Sequence, residues 1–282
     1  MSISNLKNPL ELNPKQPEFV LITSGYEKKI VMKHNLAHFY QFCNTESDKM
    51  TIIPDACVDI LFWKKDGQVK TKIAGTRFER GYSGLEPETE YFGIRFMPGV
   101  NPVKGAINLS ELANNEECFE DLITSCDERK QLLEGMFFSD SFEDKIKTFM
   151  NYYMHHYDTQ SMDKNSLNHI LYHKILHSGG SLKLSELSNF TGYSERYLNK
   201  KIHEEFGMNP KNLVKIIRFQ KAVGHLTETI QNINCMDTAL EFGYYDQSHF
   251  NKEFKKFTGL TPIHYANNLL YNSYDTKLHV LH

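Results

Sequence analysis

The hydrophobic pattern of the chain changes near its middle. Between residues 19 and 97, short runs rich in β-branched and aromatic residues are separated by Gly, Asn, Asp and Pro, which is typical of strands joined by turns. The predicted strands are residues 19–22, 29–32, 38–43, 57–63, 69–75 and 91–97. The pattern therefore predicts an antiparallel β barrel or sandwich in this half.

Beyond Pro98 the apolar residues recur at helical spacing. The first four predicted helices are residues 109–114, 118–123, 128–138 and 142–157. The last of them carries an apolar stripe, which makes it a candidate dimer surface. The stripe consists of Phe142, Ile146, Phe149, Met150 and Tyr153. The polar stretch 158–165 then predicts a linker.

From residue 167 onward the helical spacing continues through most of the remaining chain. Seven helices are predicted, at residues 167–177, 184–191, 194–206, 211–226, 236–242, 246–258 and 262–270. The predicted fold class is therefore α+β. We expect residues 1–160 to form a sensory or dimerisation β-domain with trailing helices, and residues 165–282 to form an all-α domain.

A sequence repeat lies within the helical half. Residues 192–210 and 243–262 each begin with a Gly-aromatic pair, continue as an amphipathic helix, and end at a Gly followed by Pro. A small residue, Ser188 or Ala239, stands four positions before the first Gly of each copy. A helix-turn-helix unit needs this spacing, since the two helices cross at the small residue and the chain turns sharply at the Gly. The repeat predicts two such units.

The second helix of each unit has one polar face. Asn, Gln, Arg, Lys and Ser side chains can contact base edges or phosphates. In a single helix, such a polar face usually only faces solvent. Two copies, each preceded by the same turn of a small residue and a Gly, favour DNA binding. The candidate DNA-binding residues are Arg196, Asn199, Lys200, Gln247, Ser248, His249, Asn251, Lys252 and Lys255.

A single helix, predicted at residues 211–226, separates the two units. It would be about 24 Å long and could hold the two helices near the ~34 Å repeat of the major groove. Arg218 projects from this helix and is expected to brace an acidic residue such as Asp237 or Glu241.

Charge and composition narrow the function classes. Residues 166–282 carry 13 Lys and Arg against 10 Asp and Glu, in a chain of net charge −3, which fits a polyanion-binding end. There is no long apolar run or signal pattern, so we expect a cytoplasmic protein without membrane contact. The five scattered cysteines contain no CxxC pair, so neither structural zinc nor another cofactor is expected. The common nucleophile, phosphate-loop and metalloprotease motifs are missing, so no enzyme is expected.

The N-terminal half contains a candidate ligand site. Asp55, Cys57 and Asp59 alternate and would share one face of a strand. They are either turn and surface residues, or the polar rim of a pocket in which Arg77 or Arg95 pairs with them or with an anionic ligand. The ligand-binding candidates are Asp55, Asp59, Trp63, Arg77 and Arg95. A stripe of His169, His173 and His177 has metal-ligand spacing, but solvent exposure explains it more simply, and no metal site is expected.

Two stretches carry a family resemblance. Residues 239–265, ALEFGYYDQSHFNKEFKKFTGLTPIHY, follow the signature of the AraC/XylS family, and the resemblance covers residues 170–268. IPDACVDILFW, GIRFMPG and INLSEL resemble the N-terminal region of one branch of these bacterial regulators, although Ala56 stands where Gly is typical. The resemblance implies base contacts by Arg196, Asn199 and Lys200 in the first unit, and by Ser248, His249, Asn251 and Lys252 in the second. Tyr245 replaces a usual capping Ser, which leaves Asp246 as the expected cap.

These observations predict a sequence-specific DNA-binding transcription regulator, more likely an activator than a repressor. The resemblance implies a small-molecule effector or dimerisation in the N-terminal domain. The expected partners are double-stranded DNA, RNA polymerase, a small-molecule effector and a second copy through the N-terminal half. The alternative is an effector-independent regulator whose N-terminal domain is a protein-interaction module.

Overall fold

A sheet of seven strands organises the N-terminal half of the protein. The structure, a computed structural model, describes residues 13–45, 49–156, 167–178, 180, 182–231 and 235–281. Its strands are β1 (Thr23–Lys33), β2 (Leu36–Asn44), β3 (Lys49–Ile52), β4 (Asp59–Lys65), β5 (Gln68–Ala74), β6 (Gly81–Gly84), β7 (Thr89–Phe96), β8 (Glu116–Glu117) and β9 (His279–Leu281). The large sheet has the order β8-β5-β4-β7-β2-β1-β9, and β3 pairs with β6 in a second sheet.

The sheet is open and mainly antiparallel, which confirms the α+β class and the antiparallel prediction. Both of its edges are short strands, and β9 pairs with β1 in parallel, with Lys28 opposite Val280. Residues 279–281 thus join the sheet of the N-terminal half, although the sequence places them in the second domain. The predicted linker, residues 158–165, lies outside the described part of the chain.

Side-chain alternation gives the sheet two buried faces. The outer face, with Phe39, Phe62 and Phe92, packs against helices α3 (Cys126–Phe138) and α4 (Phe142–His156). The ring centres of Phe39 and Phe149 are 6.1 Å apart. The stripe predicted as a dimer surface therefore packs on this sheet within one chain: Phe142, Ile146, Phe149 and Tyr153 are buried there and Met150 is partly buried.

The inner face of the sheet shares one core with the helical half. Tyr40, Phe42 and Tyr91 of this face belong to the same apolar cluster as Phe219 and Phe254. Residues 19–22, predicted as a strand, lie mostly in helix α1 (Pro17–Leu21), which sits between the sheet and the helices. The strand prediction was wrong because Pro17 at the first helical turn favours a helix start, a signal that the short apolar run concealed.

The helices of the second half agree closely with the prediction. They are α5 (Leu167–His177), α6 (Leu184–Thr191), α7 (Glu195–Phe206), α8 (Pro210–Glu228), α9 (Cys235–Glu241), α10 (Gln247–Thr258), α11 (Pro262–Tyr271) and the short α12 (Tyr274–Lys277), which was not predicted. The N-terminal half adds α2 (Leu109–Leu112) and a 3-10 turn at Phe119–Leu122. None of the described helices combines the length and apolar character needed to cross a membrane.

A prediction concerns two glycines in different surroundings. A Cβ on Gly93 would lie 2.2 Å from Cζ of Tyr40, whereas one on Gly224 in α8 would meet only Lys15 Cε at 3.9 Å. Gly93→Ala should therefore lower the free energy of unfolding by about 1–3 kcal/mol through overpacking. Gly224→Ala should instead raise it by about 0.5–1 kcal/mol, because a helical glycine is replaced without a clash. Urea unfolding of both variants checks this, and equal effects would contradict the packing around Gly93.

Candidate nucleic-acid interface

The first helix-turn-helix unit is built from α6 and α7. Gly192 ends α6 with a φ of 75°, in the left-handed region, and its N–H donates to Ser188 O at 2.9 Å. The Ser194 hydroxyl then caps α7 by accepting the Tyr197 N–H at 3.3 Å. One face of α7 is buried in the common core, which leaves the opposite face to solvent. The buried residues are Leu198, Ile202 and Phe206.

The second unit, α9 and α10, repeats this construction. Gly243 has a φ of 72°, and the Asp246 carboxylate caps α10 by accepting the His249 N–H at 2.7 Å. The expected cap at Asp246 is thus confirmed, and Tyr245 is 89% exposed. The inward residues are Phe250, Phe254 and Phe257, as predicted.

A buried ion pair holds helix α8 against α10 of the second unit. Arg218 donates from Nη2 and Nε to Glu253 Oε1 at 2.7 and 3.1 Å, and its guanidinium lies 4.4 Å from the ring centre of Tyr244. The bracing role of Arg218 is confirmed, but its partner is not Asp237 or Glu241. The identity of Glu253 could have been suspected, since it is a charged residue at the inward spacing of α10.

The candidate DNA-binding side chains lie on the outward faces of α7 and α10. Asn251 is half-buried, and the other eight are exposed: Arg196, Asn199, Lys200, Gln247, Ser248, His249, Lys252 and Lys255. Lys200 also pairs with Glu204 at 3.7 Å on the surface, a contact too exposed to hold the side chain firmly. The N-terminal half therefore does not cover the two polar faces in this structure.

Comparison with known proteins agrees with this geometry. Residues 187–268 match the family model described as a helix-turn-helix domain. An uncharacterized HTH-type transcriptional regulator of Staphylococcus aureus strain MSSA476 is 32% identical over 114 residues, which cover 40% of this chain. A protein of the same description from strain COL matches with the same identity and coverage. The chain spans only 15% of the length of these relatives.

The predicted resemblance of the C-terminal region to AraC-type helix-turn-helix domains is thereby confirmed. Two solved structures are more distant. The C-terminal domain of AraT from Geobacillus stearothermophilus is 26% identical, with a TM-score of 0.33, and the match covers 36% of this chain and 83% of that one. ToxT from Vibrio cholerae O395 is 16% identical, with a TM-score of 0.40, over 88% of this chain and 97% of that one. Neither likeness is close enough to define the fold or a ligand.

Outside the helix-turn-helix domain, three of the ligand-binding candidates come together. Arg95 Nη1 lies 2.8 Å from Asp55 Oδ2, and Arg95 Nη2 lies 2.9 Å from Asp59 Oδ2. The Tyr40 hydroxyl donates to Asp59 Oδ1 at 2.9 Å. Burial raises the pKa of Asp59, although the Arg95 charge opposes this shift. This buried group borders a small cavity of about 30 Å³ that is also lined by Gln16.

The strand predicted at residues 57–63 begins two residues later than expected, so Asp55, Cys57 and Asp59 do not share one strand face. The strand β4 begins only at Asp59, and Ala56 before it has a φ of 62°, in the left-handed region. This backbone explains why Gly is typical at that position in the family branch that the chain resembles. Asp55 nevertheless reaches Arg95 from the irregular segment.

Trp63 and Arg77 lie apart from this cavity. Trp63 packs beside Tyr91, with ring centres 5.4 Å apart. Arg77 donates to Glu116 Oε1 at 2.8 Å and to Asn114 O at 3.0 Å. Among the described residues, no group of three or more His, Cys, Asp or Glu could hold a metal ion. The side chain of His177 lies outside the description.

The ion pair of Arg218 with Glu253 yields a prediction. Arg218→Met would leave Glu253, whose side chain is 6% exposed, buried without its main counter-ion. The variant should lose about 3–5 kcal/mol of unfolding free energy. Lys215→Met is the matched control, because Lys215 is 38% exposed and lies 3.9 Å from the same carboxylate. The control should lose less than about 1 kcal/mol in the same denaturant titration.

A second prediction concerns Lys28 on the inner face of the sheet. Burial, and then the charges of Arg95 and Lys15, lower the pKa of Lys28 to about 7. Between this value and the unfolded pKa of about 10.4, the unfolded chain binds a proton that the native chain does not, so stability rises with pH in that window. The unfolding free energy of the wild type, measured relative to that of Lys28→Met, should rise by up to about 1.4 kcal/mol per pH unit above pH 7. Urea titrations at pH 7 and 9 measure this, and a constant difference between the proteins would contradict it.

Proposed function

We propose that this protein is a sequence-specific DNA-binding transcription regulator, acting as an activator. The observation that carries the proposal is the pair of capped helices, α7 and α10, which share one core and turn their polar faces to solvent. Each helix begins at a side-chain cap, so its first turn is rigid where base contacts are made. Exposed Lys and Arg around these faces supply phosphate contacts.

The two helices act together in this proposal. Helix α8 has 19 residues and is about 28 Å long, so it separates the two units by a distance comparable with one turn of DNA. Insertion of α7 and α10 into successive major grooves then places both on one side of the duplex. RNA polymerase and a second copy of the chain are the further partners that we propose.

The test is selection of binding sites from a random duplex library with the full chain, followed by titration of variants. Asn251→Ala should cost about 1–3 kcal/mol on the selected site, with relaxed preference at one base position. Lys255→Ala should weaken binding to selected and random duplexes equally. It should also reduce the slope of log binding constant against log salt concentration by about one. Equal losses on both duplexes for Asn251→Ala would contradict its role in specificity.

We propose further that the N-terminal domain controls this activity through a small-molecule effector. Asp59 and Arg95 line the small inner cavity, and Asp55 pairs with Arg95 beside it. These three residues remain candidates for polar contacts with the effector, whereas Arg77 does not reach the cavity. A larger groove of about 380 Å³ lies near the end of β4 and is lined by Phe62, Trp63, Val69, Phe92 and Met136.

An effector-independent regulator is the second candidate, and the packing of α1 favours it. The ring centre of Phe19 lies 4.6 Å from that of Phe42 and 6.3 Å from those of Tyr26 and Tyr40. Phe19 therefore occupies much of the space on the inner face of the sheet. Thermal-shift titration with small-molecule libraries separates the two candidates. A specific ligand at 100 times its Kd should raise the unfolding free energy by about 2.7 kcal/mol. A protein-interaction module would show no stabilising small molecule.

A further inference from the structure

The groove near the end of β4, called the β4 groove from here on, is much larger than the cavity beside Arg95. Its volume of about 380 Å³ falls within the range of about 300–1,000 Å³ that is usual for small-molecule pockets. The inner cavity has about 30 Å³, which is room for about two water molecules. Of these two cavities, only the β4 groove can therefore take up an organic molecule without rearrangement.

The interior of the β4 groove is apolar and is built from both the sheet and the helices. Phe62 of β4 and Phe92 of β7 are buried, with ring centres 6.3 Å apart. Met136 of α3 lines the groove from the helical layer. Aromatic rings provide a large apolar surface, and a methionine side chain adapts its shape to what it contacts. This interior therefore suits an aromatic or alkyl body.

The two lysines that line the β4 groove already have partners. Lys145, whose side chain is 11% exposed, pairs with Glu90. Lys64 Nζ lies 5.2 Å from the ring centre of Phe137, in a cation–π contact. An anionic ligand would have to displace Glu90 from the buried Lys145, and separating a buried charge from its counter-ion is costly. The lysines therefore do not favour an anion in this groove.

Two carboxylates at the groove lack such partners. Glu88 stands before the start of β7, Asp140 lies between α3 and α4, and neither has an ion-pair partner among the described residues. The lining residues include two lysines against three carboxylates, a net charge of −1. One positive charge on a ligand would neutralise this excess. Charge and shape together therefore favour a cation with an apolar body.

We propose that the β4 groove binds a small organic cation, in which an ammonium group is attached to an aromatic or alkyl body. The body occupies the interior between Phe62, Phe92 and Met136. The ammonium group lies near Glu88 and Asp140, which bind it through charge. This inference rests on the proposed effector control and names a ligand class for it.

The chain offers its own probe of this groove. It contains one tryptophan, Trp63, which lines the groove, so the fluorescence of the full chain reports occupancy there. The test compares 2-phenylethylammonium, 2-phenylethanol and phenylacetate, which share an aromatic body and differ in charge. 2-Phenylethylammonium should bind about three- to tenfold more tightly than the alcohol, because two exposed carboxylates attract it. Phenylacetate should bind more weakly than either. Equal affinities, or tightest binding of phenylacetate, would overturn the inference.

Variants at the two carboxylates test the charge directly. Glu88→Gln and Asp140→Asn keep the shape of exposed side chains, so the fold should be retained. Each should weaken the binding of 2-phenylethylammonium by about two- to fivefold and leave that of 2-phenylethanol unchanged. The double variant should lose the preference for the cation over the alcohol. Glu134→Gln is the matched control, because it removes an exposed carboxylate of α3 that does not line the groove. A preference that survives in the double variant would contradict the assignment.

A second measurement separates this inference from the proposed function. The affinity of the full chain for its selected duplex is measured with and without saturating 2-phenylethylammonium. If Trp63 reports charge-selective binding and the DNA affinity does not change, the groove site stands and effector control through it is overturned. If no saturable change in Trp63 emission occurs with 2-phenylethylammonium, the groove site is overturned and the proposed DNA binding is unaffected.

Discussion

The placement of α10 against α8 depends on the buried contact of Arg218 with Glu253. The guanidinium of Arg218 also lies 3.4 Å from Gly180 O and 3.5 Å from Gly243 O, so one side chain links α8, α10 and the segments that precede α6 and α10. A buried charge without its partner is costly, and this cost makes other placements of α10 unfavourable. The same pair therefore contributes to the orientation of α10 as well as to stability.

The helical half was largely predictable because its boundaries are encoded locally. Ser194, Asp246, Asn209 and Thr261 each cap a helix through their own side chain, and a glycine or a proline marks the adjoining end. Such signals act within four residues and need no knowledge of the fold. The partner of Arg218 was missed for the opposite reason: several carboxylates lie in this half of the sequence, and only the packing of α8 against α10 selects Glu253.

The N-terminal half was less predictable because its determinants are contacts between distant segments. The strands β3 and β6 are short and become recognisable only where they pair, with Met50 opposite Ser83. Arg95 and Arg77 were equal candidates for Asp59, and cross-strand register decides between them, since Asp59 lies directly opposite Arg95. Gly93 illustrates the same limit: its need for a small side chain comes from the Tyr40 ring that lies across it.

The parallel pairing of β9 with β1 has a consequence for biosynthesis. A ribosome completes β1 early, whereas residues 279–281 emerge only after the whole helical half has been made. The edge of the sheet at β1 therefore stays open during most of translation, and an open edge is a template for wrong pairing. Contacts between such distant segments also slow folding, because the intervening chain must be ordered first. Cellular yield of this protein should therefore depend on how well the nascent sheet is shielded until its last strand arrives.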